Sequence, residues 1–127
     1  MGNMEKPMTH RFTGTHILSE FYNIQENLTC HVIPELVEAV NSSCEKNHMV
    51  VLSTSDFIFE NGGYTVFFLL KESHLSIHFY IEYQSAFIDI FTCGDADAMG
   101  ILKDIEAFYA PQQIETREIR RGRPLYA

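Results

Sequence analysis

The chain has little positive charge: Lys and Arg number 9 against 17 Asp and Glu in 127 residues, for a formal net charge of -8. General nucleic-acid binding is thereby excluded, because phosphate contacts need clustered basic side chains that release counterions. An acidic protein suits cationic small molecules better. The one basic cluster, Arg117, Arg120, Arg121 and Arg123, reads as a solvated or subunit-contacting tail. Cysteine is also scarce. Cys30, Cys44 and Cys93 cannot all pair within one chain, and their spacing fits neither a zinc site nor a CxxC redox motif, so a reducing cytoplasm is the expected setting. There is no apolar run of about 18 residues and no charged-then-hydrophobic leader, which leaves neither a membrane span nor a secretory signal to expect. No GxSxG elbow is present, which argues against a serine hydrolase.

What is present is apolar and aromatic: 46% hydrophobic residues, with 10 Phe and 6 Tyr. That composition favours a folded, sheet-rich globule, and the length suits one domain over 1–127. Residues 11–24 mix β-branched and aromatic side chains and read as a first strand. Ile33, Leu36, Val37, Val40 and Cys44 then fall at helical spacing, with Pro34 tolerable in the first turn. Residues 49–60 and 64–72 read as strands joined by a glycine turn, and 74–83 and 86–93 as two more. Asp95 stands where an N-cap belongs for a second helix carrying Ala98, Ile101, Leu102, Ile105 and Phe108, which Pro111 stops. Residues 112–120 supply a last strand. The expected fold is α+β, a two-layer sandwich in the order β-α-β-β-β-β-α-β: a mainly antiparallel sheet with both helices on one face.

The stretch "LLKESHLSIHFYIEY" at 69–83 carries ionisable and nucleophilic groups inside this sheet. Alternation puts Leu75, Ile77, Phe79 and Ile81 on the core side and Ser76, His78, Tyr80 and Glu82 on the other. Thr65, Phe67, Leu69, Lys71 and Ser73 are expected to share a face, as are Phe87, Asp89, Phe91 and Cys93. Apolar residues thus occur on both faces while two helices cover only one. A second subunit packing sheet to sheet is the expected cover. His10, His16, His31 and His48 show no metal-ligand spacing, and no metal is expected.

Together, "KESHLSIHFYIEY" and "AFIDIFTCG" resemble the signature of the prokaryotic S-adenosylmethionine decarboxylases, a stretch close to "ESHLTIHTWPE" followed by "DxFTCG"; "GTHILSEFY" at 14–22 resembles that family's first strand. The resemblance implies a proenzyme that breaks its own Glu72–Ser73 bond, leaving chains 1–72 and 73–127. In that scheme the Ser73 hydroxyl attacks the Glu72 carbonyl, and His78 then removes the Ser73 α-proton, so that residue 73 becomes a pyruvoyl group. Thr65 matches a family serine that assists processing. Cys93 would be the proton donor in turnover, Glu82 would hold the ribose hydroxyls, and Tyr80 and Phe59 would sandwich the adenine. The implied cofactor is this pyruvoyl group, which forms a Schiff base with the substrate amine, with no pyridoxal phosphate and no metal.

Where the family has Thr-Trp-Pro before the glutamate, this chain has Phe79-Tyr80-Ile81. The resemblance therefore implies decarboxylation of a cationic amino-acid-type substrate, S-adenosylmethionine first, on the way to spermidine, in a homodimer of cleaved protomers. L-arginine and L-ornithine stand as alternative substrates, and an unprocessed regulatory or binding homologue as the alternative of another class.

Overall fold

The computed structural model describes residues 13–25, 28–94 and 96–123. The opening residues, with the start of the first expected strand and His10, lie outside the described residues, as does Asp95.

Ile33, Leu36, Val40 and Cys44 are all buried along one face of helix α1 (Ile33–Lys46), the face their spacing defines, and Pro34 sits in the first turn where it sacrifices no hydrogen bond. Helix α2 (Ala98–Tyr109) is capped by Asp97, whose side chain accepts from the Gly100 amide at 3.0 Å. The N-cap is therefore Asp97 and not Asp95: only a side chain immediately before the first helical residue reaches the free amides of that turn. Ala110 ends α2 in the left-handed conformation, directly before Pro111.

Six strands form one antiparallel sheet: β1 (Thr13–Tyr22), β2 (Val51–Ile58), β3 (Tyr64–Leu70), β4 (Ser73–Tyr80), β5 (Ser85–Cys93) and β6 (Gln113–Gly122), in the order β2-β3-β4-β5-β1-β6. The element order is the one expected, β2 to β5 form an antiparallel meander, and β1 and β6 complete the sheet. Ile17, Phe21, Val66, Phe68, Leu75, Ile77, Ile88 and Ile90 are buried with Leu36, Val40, Ile101 and Ile105 in one core between sheet and helices. Burial of each such side chain contributes about 1.5–3 kcal/mol, which fixes the register of every central strand.

One polar pair sits inside this core. The Tyr64 and Tyr109 hydroxyls meet at 2.7 Å, and both rings stack on Phe79. Burial pushes the Tyr64 phenol up to about 12 and holds Tyr109 well above its usual value.

Two details depart from strict alternation. The fourth strand ends at Tyr80, and Ile81–Tyr83 form a 3-10 turn closed by Gln84 at φ 45°, so Ile81 and Glu82 leave the strand pattern. The hairpin between β3 and β4 turns on Lys71 and Glu72, with Leu70 opposite Ser73. Ser73 therefore shares the helix-covered side with Leu70 and Leu75, while Thr65 points to the open side: the two-residue turn restarts the alternation that a continuous strand would have carried through.

The open face bears Phe57, Phe67, Leu69, Tyr80, Phe87 and Ile119, each between 38% and 63% exposed. No helix among the described residues is long and apolar enough to cross a membrane.

Candidate active site

The Glu72–Ser73 bond lies in the tight turn that enters β4. Glu72 adopts φ 65°, a left-handed conformation uncommon for a residue with a side chain, and the next residue carries a hydroxyl that is buried without a hydrogen-bond partner among the described residues. Ser73 is only 8% exposed. A buried unpaired hydroxyl costs on the order of 1–3 kcal/mol, so both residues of this bond sit in unfavourable environments. On the neighbouring strand, the Cys93 thiol donates to the Glu72 carbonyl oxygen at 3.5 Å. Gly14 pairs with Cys93 from the other side; a Cβ there would meet the Thr92 carbonyl at 2.6 Å and the Phe91 ring at 2.8 Å, so only glycine admits this approach. Ser73, Glu72 and Cys93 form one group.

The other expected residues gather at the far end of the same strand. Thr65 and His78 face each other across β3 and β4, with Thr65 Oγ1 at 2.9 Å from His78 Nδ1. The hydroxyl fixes the imidazole and leaves Nε2 without a hydrogen bond among the described residues. Beside this pair opens a cavity of about 490 Å³ lined by Thr65, His78, Phe59, Tyr80 and Glu82, together with Glu60, Asn61, Gly63, Tyr64 and Phe79. It holds all three expected substrate-binding residues. The 3-10 turn carries Glu82 to this cavity, where a continued strand would have sent it onward along the sheet.

These two groups are separated. Ser73 and His78 lie five residues apart on one extended strand, a distance of about 16 Å at roughly 3.3 Å per residue. Within one chain the imidazole does not reach residue 73.

A third cluster escaped the sequence pattern. His16, His74 and Asp89 come from β1, β4 and β5 and place one ligand-type atom each within 4.8 Å of one another. His16 Nε2 lies 2.5 Å from Asp89 Oδ1, its Nδ1 faces Arg121 Nη1 at 3.4 Å, and Arg121 covers the Phe91 ring. Both His16 nitrogens are thus engaged by protein partners, Asp89 on β5 and Arg121 on β6, in a hydrogen-bonded chain across three strands, while His74 Nε2 stands 3.9 Å from Asp89 Oδ1. The three residues share no sequence spacing, because sheet order and not chain order assembles them.

A six-stranded antiparallel sheet backed by two helices defines a class of small α+β proteins, and here it carries a left-handed Glu-Ser turn beside a cysteine and an acidic, aromatic cavity. A family model described as "S-adenosylmethionine decarboxylase" matches residues 15–122, and the chain belongs to that family. It is 33% identical to an S-adenosylmethionine decarboxylase proenzyme of Thermoplasma acidophilum, over 86% of this chain and 83% of that one. It is 32% identical to one of Acidithiobacillus ferrooxidans, over 88% and 84%. The fold is similar to a crystal structure of the adenosylmethionine decarboxylase from Aquifex aeolicus, with a TM-score of 0.76 and 26% identity, covering 92% of this chain and 95% of that one.

Proposed function

We propose that the protein is a self-cleaving, pyruvoyl-dependent decarboxylase of S-adenosylmethionine acting in the cytoplasm. The observation that carries this reading is the Glu72–Ser73 turn: a left-handed residue, a buried unpaired hydroxyl and a thiol hydrogen-bonded to the carbonyl between them. This environment fits a serine awaiting conversion. Attack of the Ser73 oxygen on the Glu72 carbonyl carbon breaks the Glu72–Ser73 amide and leaves an ester, relieving both the turn strain and the orphaned hydroxyl. The Cys93 thiol stabilises the charge that develops on the carbonyl oxygen. A histidine then removes the α-proton of residue 73, and the Glu72 carboxylate departs by elimination. Elimination leaves a dehydroalanine, whose imine tautomer adds water and expels ammonia to give the pyruvoyl group, which supplies the electron sink that decarboxylation of an amino acid requires and that no ordinary side chain offers. Cys93 holds the proton returned to the substrate's α-carbon.

The separation of the two groups along β4 leads to the assembly. In this reading a second copy lies on the open face, related by a two-fold axis crossing over β4 near Ser76, so that the Glu72–Ser73 turn and Cys93 of one chain, at one end of β4, come to the Thr65–His78 pair and cavity of the other. An isologous interface does this twice, giving two complete sites per dimer. The exposed Phe67, Leu69, Phe87 and Ile119 support this cover.

The cavity's aromatic and acidic walls suit an adenosyl sulfonium, and its size and charge also admit arginine or ornithine. Carbon dioxide release from the three labelled amino acids, measured side by side, decides the substrate. Release from S-adenosylmethionine well above the other two is the expected result, and preferential release from arginine or ornithine overturns the assignment.

A further inference from the structure

The cavity that holds Phe59, Tyr80 and Glu82 contains a second acid, Glu60, to which neither the strand pattern nor the resemblance gives a role. Glu60 opens the turn between β2 and β3, and that turn is pinned. The Phe59 amide donates to the Gly63 carbonyl at 2.8 Å, the Gly62 amide to the Phe59 carbonyl at 2.9 Å, and the Gly63 amide to Asn61 Oδ1 at 2.9 Å. Gly62 takes φ +97°, and a Cβ on Gly63 would meet the Phe79 carbonyl at 2.9 Å, so the turn is also seated against β4. The Glu60 backbone is therefore held at the cavity rim by the fold.

No Lys or Arg lines this cavity, and neither Glu60 nor Glu82 has an ion-pair partner among the described residues. Two uncompensated carboxylates in a half-enclosed cavity with aromatic walls create a negative potential that favours a cation over a neutral molecule of the same shape. We propose that Glu60 is a charge-selecting residue: it recognises the positive charge of the substrate, while the aromatic walls recognise its shape. This inference rests on the proposed decarboxylase reading, within which it names the determinant of ligand charge.

The test uses a pair of molecules that do not turn over and differ by one positive charge and the methyl group that creates it: decarboxylated S-adenosylmethionine, which carries the sulfonium beside its ammonium, and the demethylated thioether, which keeps the ammonium alone. Equilibrium dialysis against the cleaved wild-type protein and Glu60→Gln gives four dissociation constants. The expected result is a loss of about three- to tenfold for the sulfonium in Glu60→Gln, the range of one partly exposed charge interaction, with less than a twofold change for the thioether. Raising the salt concentration narrows the wild-type preference, and Glu60→Lys weakens the sulfonium further than Glu60→Gln. Equal loss for both molecules, or none for the sulfonium, overturns the assignment of Glu60 and leaves the decarboxylase reading standing. Wild-type protein that ignores both molecules but binds agmatine, with the same loss in Glu60→Gln, overturns the substrate reading and supports charge selection by Glu60.

Discussion

The Cys93 thiol donates to the carbonyl oxygen of Glu72, across 3.5 Å and between two neighbouring strands. On the proposed reading the same side chain polarises the carbonyl at which self-cleavage begins and afterwards serves the substrate. Cys93→Ala is expected to slow cleavage about tenfold, a modest share of the effect of losing a developing-charge donor, because a thiol at this distance is a weak one. It is expected to abolish turnover. Cys93→Ser keeps a donor and should restore most of the cleavage rate. Time courses of cleavage by gel, followed by carbon dioxide release, separate the two effects.

Ser73→Ala removes the nucleophile and leaves the chain intact. It also removes a buried hydroxyl without a partner, so unlike most core truncations it should not lower the melting temperature of the uncleaved chain; a gain of up to about 1 kcal/mol is expected. Thermal unfolding compared with another uncleaved variant, His78→Ala, measures this.

The distance between Ser73 and His78 makes a prediction that a single-chain site does not. Ser73→Ala and His78→Ala are each expected to remain uncleaved alone. Coexpressed, the His78→Ala chain should be cleaved, because its Ser73 meets the intact His78 of the Ser73→Ala partner. No cleavage in the mixed dimer contradicts the two-chain site. Ile119→Asp, on the same open face, should shift the protein towards monomer in sedimentation and slow cleavage with it.

The legible parts of the fold were those whose period the core enforces. Ile33 to Lys46 has its spacing and its Pro34 on the page, and Leu75, Ile77 and Phe79 alternate as buried positions must. The illegible parts were turns. "IEYQS" alternates apolar and polar as a strand does, and only the left-handed Gln84 reveals a 3-10 turn that delivers Glu82 to the cavity. The Lys71–Glu72 turn resets the alternation, which moved Ser73 off the face of Thr65. The residues Glu72, Ser73, Thr65, His78 and Cys93 were legible by resemblance, but their division into two groups was not, since a motif gives order along the chain and not distance across a sheet. His16, His74 and Asp89 had no signal at all.

Burial raises the proton affinity of three core groups: Cys44 to about 11 from 9.0, Tyr64 to about 12 from 10.0, and Tyr109 well above 10.0. The folded chain holds these protons more tightly than the unfolded chain. Their contribution to stability is therefore complete below about pH 9 and is lost as the pH rises from there through about 12. Chemical denaturation as a function of pH should show a flat region at neutral pH and a decline above 9. The double variant Tyr64→Phe with Tyr109→Phe, which removes both hydroxyls of the buried pair, should flatten the part of the decline above pH 10, at a cost near neutral pH of roughly 1 kcal/mol.

Stacking of an adenine on Tyr80 is expected to contribute about 1–3 kcal/mol, so Tyr80→Ala should raise KM for S-adenosylmethionine by about fivefold or more, and Tyr80→Trp should lower it. The same variants should change KM for arginine little, which steady-state kinetics on both substrates will show.

Denaturing mass spectrometry of the purified wild-type protein reads the proposed self-cleavage of Glu72–Ser73 without an intermediate step. Two chains are expected, 1–72 and 73–127, of 72 and 55 residues, the second lighter by one ammonia than simple hydrolysis would leave it and reactive towards a carbonyl reagent. A single intact chain of 127 residues in catalytically active protein, or a second fragment that begins with an ordinary serine, contradicts it.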